Sequence, residues 1–178
     1  MNRYKILFII SLLILTGFGI LYIDKPISIN EEITPTPLQE SFGYKVTKVV
    51  DGDTVKLNID GNEETIRLIG IDTPETVHPS RPVECFGIEA SNYAKEKLSD
   101  QYVELEKDPS QGEVDRYGRT LGYIILPNGD NFNEQIIKDG YAYEYTYRDS
   151  YKYQKEFMQA EEYARDNKLG LWADGACK

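Results

Sequence analysis

Histidine is almost absent from this chain of 178 residues: the single one, His78, sits in a proline-rich stretch. A mechanism using imidazole as base or metal ligand has little to draw on, and His78 is read as a surface residue. Cysteine is nearly as sparse. Only Cys85 and Cys177 occur, without CxxC spacing, which argues against zinc ribbons and thioredoxin-type redox chemistry. Positive charge is also in short supply: 20 Lys and Arg stand against 30 Asp and Glu, a formal net charge of −10. That argues against tight, static, non-specific DNA binding, yet leaves room for a local positive site on an acidic body. No internal repeat is visible.

What the chain does have begins with an apolar run. Arg3 and Lys5 precede Ile6–Ile23, which is almost unbroken and about 18 residues long, near the lower limit for a membrane-spanning helix. Basic residues before the run put the amino terminus in the cytoplasm and the rest outside. Residues 1–23 are therefore expected to be an uncleaved transmembrane anchor or a cleaved signal peptide, with Gly17-Phe-Gly19 a weak cleavage site. No cysteine follows directly, so a lipoprotein anchor is excluded. Residues 24–40, with Pro26, Pro35 and Pro37 and little periodicity, read as a flexible linker. Residues 41–178 form the domain. In an oxidising space Cys85 and Cys177 are expected to pair, tying the carboxyl terminus to the start of the first long helix; two free thiols are the alternative. The long loop enclosed makes such a bond worth about 4 kcal/mol in the chain-entropy account.

With 40% hydrophobic residues the domain can build a core. Tyr44–Val50 and Thr54–Ile59 alternate as strands, with a turn at Asp51-Gly52 between them. A hairpin turn at Asp60-Gly-Asn62 leads into a third strand, Thr65–Ile71, giving an antiparallel meander. Thr73–Pro82, with three prolines, is a surface loop. Gly87–Leu98 reads as a helix with Ile88, Tyr93, Ala94 and Leu98 on one stripe, followed by strands at Tyr102–Glu106 and Thr120–Leu126. Helices at Asn131–Lys138 and Tyr151–Asn167 complete the pattern, the latter with Phe157, Ala160, Tyr163 and Ala164 inward. The expected fold is α+β: a five-stranded OB-fold barrel with three helices. That architecture alone implies no chemistry.

The chemistry lies in three short blocks: Asp51-Gly-Asp-Thr54, Ile66–Thr76 and Asp115-Arg-Tyr-Gly-Arg119. Asp53 at one strand's start and Asp72 at another's end can converge on one ion, and oxygen donors suit Ca²⁺. Asp51 is read rather as a turn residue. An EF-hand is not supported, since Lys56 stands where its glycine belongs. Glu75, in a rigid turn after Pro74, suits a general base or a group that orients the attacking water. Arg67 interrupts an apolar strand and needs a partner, either a structural carboxylate or a bound phosphate. Arg119, beside Gly118, can approach from the other side, and two guanidiniums can offset the charge of a five-coordinate phosphorus transition state.

These blocks, together with Glu84–Ser91, resemble the thermonuclease (staphylococcal nuclease-like) family in order and spacing from about Tyr44 to Trp172. The resemblance implies a Ca²⁺-dependent phosphodiesterase acting on DNA and RNA and leaving 3′-phosphates. It implies that Asp53, Asp72 and the carbonyl of Thr73 hold calcium, that Glu75 activates or positions water, and that Arg67 and Arg119 grip the scissile phosphate. Tyr117 and Arg116 match residues near a neighbouring phosphate. The family's base-stacking tyrosine falls on Thr146; Tyr145 and Tyr147 flank it in the alternation Tyr141, Tyr143, Tyr145, Tyr147. These rings either form a stacking surface or cover the barrel and the last helix. A binding-only barrel would be expected to have lost an arginine or a metal carboxylate, and Asp53, Asp72, Glu75, Arg67 and Arg119 are all present. A structural surface module would leave Arg67 unexplained. The expectation is a monomeric exported nuclease, held on the outer face of the membrane or secreted.

Overall fold

A computed structural model describes residues 43–76 and 82–177. The expected anchor (1–23), the linker (24–40) and His78 lie outside the described residues. Among the described residues no helix is long and apolar enough to cross a membrane.

Five strands close into a barrel: β1 (Tyr44–Val49), β2 (Thr54–Ile59), β3 (Asn62–Leu68), β5 (Tyr102–Glu106) and β6 (Thr120–Ile125), in the order β1-β2-β3-β6-β5. With α1 (Gly87–Leu98), α2 (Phe132–Lys138) and α3 (Gln154–Asp166), this is the expected OB-type architecture. Alternation does the local work. Val55, Leu57, Ile66 and Leu68 point into the barrel with Val46, Val103 and Ile124, while neighbours such as Lys56 and Arg67 face outward. The parallel pairing of β3 with β6 (Arg67 opposite Leu121) is the closing seam, and it carries Arg67 toward the loop that ends at Arg119.

The third expected strand does not run to Ile71. It stops at Leu68, turns through Ile69-Gly70, and resumes as β4 (Ile71–Asp72). Gly70 has φ of +77°, and a Cβ there would lie 2.6 Å from the Tyr151 ring, so only glycine fits this turn. The turn is held from α2: the buried Asn133 side chain donates to the Ile69 carbonyl at 2.9 Å and accepts from Ile124 N–H at 3.1 Å. β4 then pairs with β7 (Tyr143–Glu144), Asp72 opposite Tyr143, which brings the tyrosine-rich segment alongside Asp72.

Two inward assignments are corrected. Ile88 is 57% exposed, and α1 instead buries Ala90, Ala94 and Leu98. Tyr163 is 48% exposed, lying under Lys138, while Phe157, Ala160 and Ala164 face the core as expected. Both side chains sit at the margin of a helical stripe, where a one-position rotation decides burial. Cys85 and Cys177 form the expected disulfide.

Candidate active site

Asp53 is the buried centre of the site, 7% exposed. A Cβ on Gly52 would fall 2.6 Å from Thr73 Cγ2, so glycine here lets the β1–β2 turn press against the strand end after β4. The result is a cross-strand clasp. Asp53 Oδ2 accepts from Thr73 N–H at 3.1 Å and Thr73 Oγ1 at 3.3 Å, while Oδ1 accepts from the Thr54 hydroxyl at 2.9 Å. Burying a carboxylate is tolerable only with such donors.

Arg67 answers the question its strand position raised. Its Nη2 lies 3.3 Å from Asp53 Oδ2 and 3.3 Å from Asp72 Oδ1, and its Nη1 donates to the Leu68 carbonyl at 2.6 Å. One guanidinium thus bridges the two carboxylates expected to share an ion. Arg119 is gripped by Asp115, with Nε and Nη2 both 2.7 Å from Oδ2. Asp115 Oδ1 accepts from the backbone N–H groups of Tyr117 and Arg119, each at 2.9 Å. Burial works against the Asp115 charge, but these donors and the guanidinium outweigh it and hold the carboxyl below the usual range. Arg119 Nη1 also reaches the Thr54 hydroxyl at 3.4 Å. Thr54 therefore links Asp53 to Arg119, and the two arginines, which are far apart in sequence, converge on one place.

The acidic side is crowded. Burial, then the neighbouring Asp53 charge, push the Asp51 carboxyl up. Asp72 is raised by the same two causes; Arg67 opposes them, and Glu84 and Glu75 add repulsion. The donors are all oxygens, and their mutual repulsion is only partly offset by one guanidinium. That chemistry fits a hard divalent cation. Among the described residues, no group of three or more His, Cys, Asp or Glu is gathered as a ready cage. Asp53 and Asp72 are the protein carboxylates that could hold an ion here, with backbone oxygen and water completing the shell.

An open cleft of about 470 Å³ runs beside this centre, walled by Arg67, Asp72, Asp115, Arg116, Tyr117, Arg119, Tyr145, Tyr147 and Arg148. Glu75 is not on that wall. It lies beyond Asp72 on the Thr73–Thr76 segment, with its Oε1 accepting from Thr76 N–H at 2.9 Å. The tyrosine alternation divides in two. Tyr141 stacks on Tyr93 with centroids 4.4 Å apart, and Tyr143 meets Trp172 edge-on, so these two cover the body. Tyr145 and Tyr147 line the cleft and are exposed. Thr146 turns inward, donating to Glu144 at 2.6 Å and accepting from Gln154 at 2.7 Å. On one side Arg116 lies over the Tyr117 ring at 4.7 Å; on the other, Arg148 lies over Tyr147 at 5.1 Å.

Sequence reasoning left three contributors without a role: Thr54, Asp115 and Arg148. Thr54 and Asp115 lie inside the sequence blocks that carry the chemistry, and an acid four residues before an arginine in a Gly-containing loop is the available signal for Asp115. Arg148 had none beyond following Tyr147.

A closed five-stranded barrel, with neighbouring carboxylates and two clasped arginines at one rim, defines an OB-fold protein. Residues 65–174 match the family described as Staphylococcal nuclease homologue. The chain is 46% identical over 131 residues to a thermonuclease of Staphylococcus hyicus, covering 74% of this chain and 76% of the relative. It is 44% identical over 130 residues to the thermonuclease of Staphylococcus intermedius, covering 72% and 75%. It is also 37% identical over 136 residues to the SPbeta prophage-derived endonuclease YokF of Bacillus subtilis, spanning 76% of this chain but 45% of that longer protein. The chain belongs to the staphylococcal nuclease family.

Proposed function

We propose that this protein is an exported, Ca²⁺-dependent nuclease that hydrolyses phosphodiester bonds of DNA and RNA and leaves 3′-phosphates. One observation carries the reading: Arg67 and Arg119 approach a common point through Asp53 and Thr54, beside a cleft sized for nucleotides. The thermonuclease relatives support the same activity.

Asp53 and Asp72, with the carbonyl of Thr73, would hold the calcium, which polarises a phosphoryl oxygen and helps neutralise developing charge. The scissile phosphate lies between the two guanidiniums. Water attacks phosphorus while Glu75 orients it and accepts its proton. The P–O5′ bond breaks, the phosphate stays on the 3′ side, and the departing 5′-oxygen takes a proton from solvent. Arg67 and Arg119 are already oriented by carboxylates, so little reorganisation is needed as charge accumulates on the equatorial oxygens. Tyr117 and Arg116 hold a neighbouring phosphate, and Tyr145 and Tyr147 offer ring faces to bases without demanding sequence. The Cys85–Cys177 bond supports export, with residues 1–23 as membrane anchor or removed signal. The protein acts as a monomer on the outer face of the membrane, or secreted.

The test is incubation of the full chain with single- and double-stranded DNA and with RNA in Ca²⁺, EGTA or Mg²⁺, products being read by mass spectrometry. Cleavage in Ca²⁺ to 3′-phosphates is expected, abolished by EGTA and little restored by Mg²⁺, which demands stricter octahedral geometry. Full activity in Mg²⁺ alone, or 3′-hydroxyl products, contradicts the assignment.

A further inference from the structure

The segment that carries Glu75 is held by a clasp to Glu84, a residue outside the catalytic groups. Glu75 N–H donates to the Glu84 carboxylate at 3.1 Å, and Glu84 N–H donates back to the Glu75 carbonyl at 2.9 Å. The Glu75 carboxylate in turn accepts from the N–H of Thr76, so where that carboxylate points follows from the backbone shape the clasp imposes. The next residue after Glu84 is Cys85, bonded to Cys177 at the far end of the chain.

The geometry between clasp and helix is narrow. Gly87 N–H closes a turn onto the Glu84 carbonyl at 3.1 Å. Phe86 takes φ of +68°, a left-handed conformation that non-glycine residues rarely adopt. A Cβ on Gly87 would come within 3.0 Å of the Glu75 and Pro74 carbonyl oxygens. Such a turn persists only where its surroundings over-determine it. Here the disulfide on one side of Phe86 and ring contact with Tyr141, 5.5 Å between centroids, supply that constraint. Both lie outside the barrel core, so their loss should displace the clasp before it unfolds the domain.

We propose that Glu84 is a positioning residue for Glu75, and that the Cys85–Cys177 disulfide fixes Glu84 in place, so that full turnover requires the oxidised chain. This rests on the reading of Glu75 as the residue that handles the attacking water. Glu84 touches neither substrate nor reacting atoms; it acts through the loop.

Four forms of the full chain are compared: wild type, Glu84→Ala, Glu84→Gln and the double variant Cys85→Ser/Cys177→Ser. For each, kcat, KM and calcium affinity are measured on a defined oligonucleotide, with and without dithiothreitol. That dithiol delivers two electrons and two protons, converts the disulfide to two thiols and itself closes to a cyclic disulfide. Amide hydrogen exchange at Glu75 is followed in parallel. Misplacing a reacting group by about 1 Å can cost up to roughly a hundredfold, so Glu84→Ala is expected to lower kcat by about ten- to a hundredfold with KM little changed. Glu84→Gln keeps an acceptor oxygen and recovers most of the rate. Dithiothreitol slows the wild type similarly and does not slow the double variant further. Protection of the Glu75 amide falls wherever kcat falls. Undiminished kcat in Glu84→Ala or in the reduced wild type overturns the proposal. So does weakened calcium binding in both Glu84 variants with normal kcat at saturating calcium, which would make Glu84 a metal-site group. If the oxidised wild type hydrolyses nothing, the functional reading fails, and exchange at Glu75 still shows whether Glu84 and the disulfide hold the loop.

Discussion

Replacing Arg67 by alanine separates two effects that the structure lets one estimate independently. In the resting protein the guanidinium contacts Asp53, Asp72 and the Leu68 carbonyl. Stripping the partner from a buried charge costs about 3–5 kcal/mol in general. Asp53 keeps its Thr54 and Thr73 donors, so the low end applies. The contact to Asp72 adds little, because that side chain is 55% exposed and an exposed ion pair is worth at most about 1 kcal/mol. A destabilisation of about 3 kcal/mol follows, or roughly 6–12 °C in Tm for a chain of this size. The catalytic loss is separate. A preorganised donor aimed at developing charge is worth about 2.7–4 kcal/mol, which is about a hundred- to a thousandfold in kcat. Arg67→Lys distinguishes the two. It keeps a charge near Asp53 and should recover most of the Tm. One ammonium cannot fork onto phosphate while reaching two carboxylates and a carbonyl, so kcat should stay at least about tenfold down. The assay is steady-state hydrolysis of a fluorescent oligonucleotide at saturating Ca²⁺, well below every variant's Tm, with melting followed by circular dichroism. An Arg67→Ala protein within tenfold of wild-type kcat would refute the placement of this guanidinium on the transition state.

Asp115→Ala should slow hydrolysis by about ten- to a hundredfold, since it releases Arg119 and frees two loop N–H groups; wild-type kcat in that variant would show that Arg119 orients itself. Asp108, 4% exposed, accepts from Ser110 N–H and Oγ, the Tyr123 hydroxyl and Lys152 N–H. Burial works against its charge, but those donors prevail and lower its pKa. Its stabilisation is therefore complete above the unfolded carboxylate pKa and lost as pH falls through the folded value. Asp108→Asn should cost about 1–3 kcal/mol at pH 7 and flatten the fall of Tm below about pH 4; parallel Tm–pH curves for variant and wild type would exclude that role.

Local pattern made part of this molecule legible. β2, α1 and β5 follow the sequence reading to the residue, because alternation or helical spacing is unbroken there and turn residues bound it. The break in the third strand was hidden, since Leu68, Ile69 and Ile71 look like one apolar run around Gly70. What fixes the turn is Asn133, 64 positions away from Ile69. Tyr145 and Tyr147 could not be told from Tyr141 and Tyr143 by spacing, because the division is made by the β4–β7 ladder and by Trp172. In the same way, charge at Arg67 announced a need for partners, while the partners' identity depended on a turn pressed home by Gly52. Sequence exposes a group's requirement; distant contacts decide how it is met.

The acidic character of the whole chain and the anionic nature of its proposed substrate are reconciled by distance. Surface charges more than about 8 Å apart are largely screened at physiological salt, so the −10 of the full sequence weighs less than the cleft's own arginines, Arg67, Arg116, Arg119 and Arg148. Two of these are already paired with carboxylates, Arg67 with Asp53 and Asp72, Arg119 with Asp115. Paired, they present little free charge to hold a polyanion in its ground state. The carboxylates nevertheless fix where the guanidinium N–H groups lie, and the charge that gathers on phosphorus oxygens during attack makes those N–H groups more valuable than they are to the intact diester. A broad basic face would bind substrate and product alike. On the proposed reading, an acidic protein with clasped arginines would bind both weakly and reserve its strongest interaction for the short-lived species between them.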